Sequence, residues 1–188
     1  MKLNWLSLCR GLAVTLALGG SLASTEVKAQ NPTAAESQEM RLLLDERAIN
    51  RLILDYIRTS QGADFEAFGK LFENGDFLGL GGQVVARGAA QVAAMKKHYH
   101  REKAPGVVGQ AIYTAPIIDI DQERGTATAQ SAVISLSAQR GEPAAITMIA
   151  RYNDRFSKAG GRWRFLSRQE VVDWTTRDFS DVFKAEPK

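Results

Sequence analysis

Cysteine is almost missing from this chain of 188 residues, with Cys9 the only one. A disulfide scaffold is therefore excluded, and so is a thiolate metal site, which draws on several cysteines. Histidine is nearly as scarce. The two present, His98 and His100, are two positions apart on a helical stretch and point to different sides, so they do not form a metal pair. His98 has helical spacing to Glu102, but Lys96, Lys97, Arg101 and Lys103 surround it, and the stretch reads as a solvated basic helix end that suits the helix dipole. The glycines Gly79, Gly81 and Gly82 are not followed by the Lys-Ser or Lys-Thr of a phosphate loop. Ser131, Ser135 and Ser137 lack the flanking glycines of a nucleophile elbow. No metal and no cofactor are expected.

Long apolar runs are also lacking. The longest, over residues 11–18, falls short of the roughly 20 residues a spanning helix needs. It follows Lys2 and Arg10 and precedes small residues, which is the layout of a secretory signal peptide over residues 1–29, with cleavage after Ala29 favoured over Ala23. The expected mature chain is exported, periplasmic or secreted, free of thiols and not held in a membrane. Removing that segment takes away Lys2, Arg10, Lys28 and Glu26 and leaves basic and acidic side chains almost balanced. A nucleic-acid partner, which needs a concentrated positive face, is not expected. Residues 30–39 are small and polar and read as a flexible leader, residues 40–176 as one domain, and residues 177–188 as a C-terminal tail.

Within that domain the pattern changes from period three-and-four to period two. Leu44, Ala48, Ile49, Leu52, Ile53, Tyr56 and Ile57 mark an amphipathic helix over residues 40–57. Asp64 caps a second helix carrying Phe65, Phe68, Leu71 and Phe72, closed by Asn74, Gly75 and Asp76. Residues 77–80 and 83–86 flank a glycine pair as a hairpin, and Gly88 opens a third helix to about Arg101. A strand over residues 107–121 is interrupted at Pro116, and strands follow at 126–138, 144–156 and 162–174. Helices first and long strands last predict an α+β fold: a cone-shaped, curved antiparallel sheet packed on three helices and enclosing a pocket.

Three stretches carry a family resemblance: Ala48 to Tyr56 with Asp64-Phe65-Glu66-Ala67-Phe68 and Glu73-Asn74-Gly75-Asp76; Pro116 to Asp121 with Gly125 to Ala129; and Arg151-Tyr152-Asn153-Asp154-Arg155-Phe156 running through Gly160-Gly161 to Asp173-Trp174. Together they resemble the SnoaL-like branch of the nuclear transport factor 2 superfamily over roughly residues 40–176. The resemblance implies a cone with an apolar cavity, frequent dimers, and members that are dehydratases, isomerases, cyclases, epoxide hydrolases or binding proteins without chemistry. The acid/base dyad of the enzymatic members falls here on Gln61 and on the histidine-free strand around Ala111. That departure favours a pocket protein for a small, mostly apolar organic molecule over a cofactor-free lyase or isomerase. A periplasmic interaction module is the reading of a third class, and a homodimer through the sheet is expected.

Candidate residues follow from position. Tyr56 ends the first helix where the implied cavity opens, and its phenol could bond a carbonyl or enolate; the alternative is a core tyrosine. Strict alternation puts Asp173 with Gln169 and Val171 on the face of Trp163, where a carboxylate could act as base; the alternative is a carboxylate paired with Arg168, Arg177 or solvent. Arg151 could hold an anion or pair with a carboxylate such as Glu170. Gln130, Thr147, Arg151 and Gln169 would form a hydrogen-bonding line along the apolar wall, with Gln61 and Tyr113 as further ligand contacts.

Overall fold

A computed structural model describes residues 32–100 and 106–176. The expected signal segment, the tail at 177–188, and Arg101, Glu102 and Lys103 lie outside the described residues. The elements are α1 (Ala34–Gln61), α2 (Phe65–Lys70), β1 (Asp76–Leu78), β2 (Val84–Arg87), α3 (Gly88–Tyr99), β3 (Val107–Tyr113), β4 (Ile117–Asp121), β5 (Thr126–Gln139), β6 (Ala145–Ala159) and β7 (Arg162–Thr175).

Helix α1 begins within the stretch expected to be a flexible leader. A capping box sets its start: the Glu36 amide donates to Thr33 Oγ1 at 3.2 Å and the Thr33 amide donates to Glu36 Oε2 at 2.7 Å. The first turns are exposed, so they carry no apolar periodicity. Good helix formers and a cap hold them rather than burial, which is why a search for an amphipathic face misses them. Further along, Ile49, Ile53 and Tyr56 turn one buried stripe toward the sheet.

Helix α2 stops a turn sooner than its apolar pattern suggests. Short-range bonds from the Leu71 amide to Phe68 O and from the Phe72 amide to Gly69 O wind the chain tightly and drop Phe72 into the core. At Gly69 the α2 and α3 backbones nearly touch: a Cβ there would stand against Ala89 O and 2.8 Å from Ala93 Cβ. Glycine is what lets α3 lie close enough to bring its inward side chains over the sheet.

The sheet runs β2-β1-β7-β6-β5-β3, with β4 also paired to β5. It is antiparallel except for β1–β7, which is parallel. Strand β5 serves two partners in turn, β4 along Thr126 to Gln130 and β3 along Val133 to Gln139. The break between them falls at Pro116, which has no amide hydrogen, and Thr114 Oγ1 fills the gap by accepting from the Ala132 amide at 2.9 Å.

Three register shifts among β5, β6 and β7 decide which of their side chains face the helices. Opposite Ser135 and Leu136 the extra residue is Thr147; opposite Arg155 and Phe156 it is Leu166; opposite Ile149 and Ala150 it is Asp173. Each extra residue reverses the inside-outside alternation beyond it. Trp163, Phe165, Arg168, Glu170 and Val172 therefore share the face turned toward α1. The core there combines Ile49, Ile53, Phe68, Phe72 and Phe77 with Ala127, Ala129, Phe156 and Phe165.

Candidate functional site

The inner face is covered unevenly. Toward the β6–β7 turn its side chains are buried, as at Ala127, Phe156, Trp163 and Phe165, whereas Ala111, Tyr113, Ser135, Met148, Glu170 and Val172 at the other end are only partly covered. Where these zones meet, polar groups converge. Adjacent strands align Ser131, Tyr152 and Glu170 in one row, and Ala129, Asp154 and Arg168 in the next.

Arg168 is the anchor of this cluster. Its side chain is 1% exposed, and Nε and Nη2 both donate to Asp154 at 2.6 Å. Its guanidinium carbon lies 3.8 Å from the Tyr56 ring centroid and 4.4 Å from that of Tyr152, so two aromatic faces hold the cation. Burial works against its charge, but Asp154 keeps Arg168 protonated at every accessible pH. Two buried atoms have no partner among the described residues, Arg168 Nη1 and Ser131 Oγ.

Glu170 is the second feature. Its carboxylate accepts from Tyr152 Oη at 3.3 Å and forms no ion pair among the described residues. Burial pushes its pKa up, only partly offset by the Tyr152 bond and by the charges of Lys96 and Arg168. Tyr113 stacks on Tyr152 with centroids 6.1 Å apart, and Tyr56 meets Tyr152 edge-on at 5.7 Å. Burial raises the pKa of all three phenols, so they act as neutral hydrogen-bond donors.

The expected site residues divide between two faces. Tyr56 and Tyr113 are on the inner side, as anticipated. Asp173 is not on the face of Trp163. The bulge at Leu166 breaks the alternation, Asp173 is itself a bulge residue, and it turns outward to an ion pair with Arg151, with Arg151 Nη2 to Asp173 Oδ1 at 2.7 Å. That bond holds the Asp173 carboxyl below the usual carboxylate range, the reverse of what a base needs. Arg151 is thus paired with Asp173, not with Glu170.

Gln130 and Gln169 also face outward, in one row with Asn153. They line an open groove of about 400 Å³ with Ile117, Leu78 and Arg155. Their amides are used locally, Gln130 Nε2 donating to Asn153 Oδ1 at 3.0 Å and Gln169 Nε2 to Leu80 O at 3.3 Å. Thr147 sits in its bulge and donates to Ser135 O at 3.2 Å, and Gln61 is exposed at the end of α1. The anticipated line of polar contacts is therefore not part of the inner wall. Sequence reasoning missed Arg168, Asp154 and Glu170 as site residues, although three charged residues within strands that bury their neighbours were a usable signal.

Among the described residues no group of three or more His, Cys, Asp or Glu side chains is placed to hold a metal. No helix among them is long and apolar enough to cross a membrane.

The SnoaL-like domain family matches residues 41–169. Comparison with curated proteins gives no match. Among solved structures, an NTF2-like protein with a cystatin-like fold from Novosphingobium aromaticivorans is similar at 18% identity and a TM-score of 0.62, over 82% of this chain and 99% of that one. A candidate scytalone dehydratase from the same species is similar at 22% identity and a TM-score of 0.57, over 73% of this chain and 90% of that one. A hexachlorocyclohexane dehydrochlorinase, LinA-type3, from Novosphingobium barchaimii is similar at 12% identity and a TM-score of 0.59, over 73% and 92%. These likenesses carry the fold, an unclosed seven-stranded sheet with helices on one face. With the family match spanning most of its length, the chain belongs to the SnoaL-like domain family.

Proposed function

We propose that this chain is an exported pocket protein that binds a small, mostly apolar organic molecule against the partly covered inner face of its sheet. The observation that carries the reading is Glu170. A half-buried carboxylate without a cation partner costs stability, and such a group is kept where it meets a ligand or a reacting proton. Tyr152, which bonds it, and Tyr113, stacked on Tyr152, offer one polar edge beside the apolar Ala150 and Val172 of the next row, the composition of a small-molecule site. The charged start and short apolar run of residues 1–29 support export.

Naphthol and tetralone serve as probes of this site. Calorimetric titration is expected to show binding that Glu170→Gln and Tyr152→Phe each weaken about tenfold, the loss of one charged or buried hydrogen bond, with Asp173→Asn unchanged. Binding that is lost in Asp173→Asn and kept in Glu170→Gln would move the site to the outer face. Absence of binding by either probe, with no small molecule retained through native purification, would end the pocket reading.

A lyase or isomerase is the second reading, favoured by the raised pKa of Glu170, which suits a general base. It moves the base from Asp173 to Glu170 and keeps a tyrosine as donor. Hydrogen exchange at the carbon next to the tetralone carbonyl in heavy water, present in the parent chain and absent in Glu170→Gln, is its signature.

The partner in this proposal is a second copy of the chain, seated on the outer face. Ile112, Ile134, Ile149 and Trp174 are consecutive cross-strand neighbours there, and Ile112, Ile149 and Trp174 are 52%, 37% and 48% exposed. A row of large apolar side chains facing water marks an association surface. Ile149→Glu is expected to shift the chain to a monomer in sedimentation while leaving naphthol binding intact; an unchanged sedimentation coefficient would remove this face from the interface.

A further inference from the structure

One row of side chains on the outer face of the sheet holds two acids and two arginines, and only half of them are paired. Read across β4, β5, β6, β7, β1 and β2, the row is Asp119, Thr128, Arg155, Ser167, Asp76 and Arg87. At the β2 end Arg87 Nε donates to Asp76 Oδ1 at 2.9 Å. At the other end Asp119 and Arg155 are both exposed, and neither side chain forms an ion pair or hydrogen bond among the described residues. Thr128 stands between them, so their backbones are two strand spacings apart, roughly 10 Å.

Charged residues on a solvated strand face are ordinary, and two further observations set this row apart. The first is concavity. Two open grooves, of about 400 Å³ and about 410 Å³, share Asp119, Thr128 and Arg155 as common lining. The first groove adds Ile117 and Leu78 with the carboxamides of Gln130, Asn153 and Gln169, and the second adds Leu166. The second observation is Ser167, which lines the first groove beside Arg155. It is 8% exposed, and its hydroxyl has no hydrogen-bond partner among the described residues. The bulge at Leu166 places it there, because the extra residue sets Ser167 opposite Arg155. A hydroxyl so covered and left without a bond costs free energy that a ligand oxygen recovers.

We propose that this outer groove binds a small zwitterion, an α-amino acid or dipeptide with an aliphatic side chain. The ligand carboxylate meets Arg155 and the hydroxyls of Thr128 and Ser167, and the ligand ammonium meets Asp119. A guanidinium matches a carboxylate with two parallel hydrogen bonds, and a hydroxyl on each side of Arg155 adds donors to the same oxygens. Asp119, one strand beyond Thr128, then accepts from the ammonium. A ligand with a single charge would leave one end of the row unmatched and meet a like charge there. Ile117, 71% exposed, and Leu78 bracket the neighbouring row of carboxamides and give an aliphatic side chain its apolar contact. The site is independent of the inner-face pocket, and the apolar row of Ile112, Ile149 and Trp174 lies farther along the outer face.

Calorimetric titration of the full chain with leucine and leucyl-leucine tests the proposal. Both should bind, and Arg155→Gln and Asp119→Asn should each weaken binding about tenfold, the loss of one charge-assisted contact. Leucinamide, which lacks the carboxylate, and N-acetylleucine, which lacks the ammonium, should each bind the parent chain about tenfold more weakly than leucine does. Ser167→Ala should weaken leucine binding without lowering the melting temperature, because the hydroxyl it removes has no partner in the fold. Arg140→Gln, at an exposed arginine outside the groove, should change nothing, which separates the site from diffuse surface charge. If leucine binds no more tightly than leucinamide, or if Arg155→Gln binds it as tightly as the parent chain, the proposal is overturned. Absence of binding by both leucine and leucyl-leucine overturns it as well, and neither result bears on naphthol binding at the inner face.

Discussion

Asp154→Ala is expected to destabilise the fold by about 3–5 kcal/mol, because it strands the Arg168 guanidinium in the interior. Neither side chain of the pair is more than 1% exposed, so water cannot substitute for the lost carboxylate. Arg168 cannot escape its charge by releasing a proton, since the group titrates far above any working pH. The aromatic faces of Tyr56 and Tyr152 offset part of the penalty, by about 1–2 kcal/mol at most. Urea titration at neutral pH measures the loss. A second variant separates an uncompensated charge from simple loss of packing: Asp154→Leu combined with Arg168→Met removes both charges and should recover most of the stability, since apolar replacement of a buried pair is often neutral or favourable. A loss below about 1 kcal/mol in Asp154→Ala would mean that solvent reaches Arg168, contrary to the packing described.

Asp45→Asn is expected to cost about 2 kcal/mol and to remove part of the acid sensitivity of the fold. Asp45 lies on α1, 8% exposed, and accepts from Lys158 Nζ at 2.6 Å, Trp163 Nε1 at 2.8 Å and Gln122 Nε2 at 3.5 Å. One carboxylate thus ties the first helix to the β6–β7 hairpin and to the turn after β4. Burial alone would raise its pKa, but the bonds from Lys158, Trp163 and Gln122 hold the carboxyl below its ordinary value. A carboxylate with a lowered folded pKa contributes its stabilisation above the unfolded value near 4, and loses it as pH falls through the folded value. The parent chain should therefore lose more stability than Asp45→Asn between neutral pH and about pH 3, as read by thermal melts at both ends. Parallel pH curves for the two proteins would show that Asp45 does not carry this linkage.

Much of the frame was legible because local rules and global packing agree. Period-two alternation with turns at Arg140-Gly141 and Gly160-Gly161 located β5, β6 and β7 within a few residues. The glycine hairpin and the Gly88 start of α3 appeared where the turn residues put them. Pro116 was readable as a break because a missing amide hydrogen has the same consequence in any context. The start of α1 was not, because exposed residues leave no hydrophobic pattern, and the parallel β1–β7 contact joins segments far apart in the chain.

The site was much less legible, and one cause accounts for most of it. Assigning faces by counting twos holds only while the ladder has no extra residue, and β7 has two, Leu166 and Asp173. Counting back from Trp163 puts Asp173 inside and Glu170 outside; the bulges exchange them. The slip at Leu166 moved Gln169 from the imagined cavity wall to the outer surface, whereas Gln130 and Arg151 lie in stretches of β5 and β6 whose alternation is unbroken, and there it was the facing of the strand that had to come from its neighbours.

By itself the sequence determined the element order, the family, and the surplus of apolar strand surface that a sheet with a helical cover can bury, since composition and periodicity encode which elements are amphipathic. Only the tertiary structure decided which carboxylate is interior, because strand register is fixed by pairing with neighbours remote in the chain, and one inserted residue there reverses the inward and outward sets. The pairing of Arg168 with Asp154 belongs to that second class.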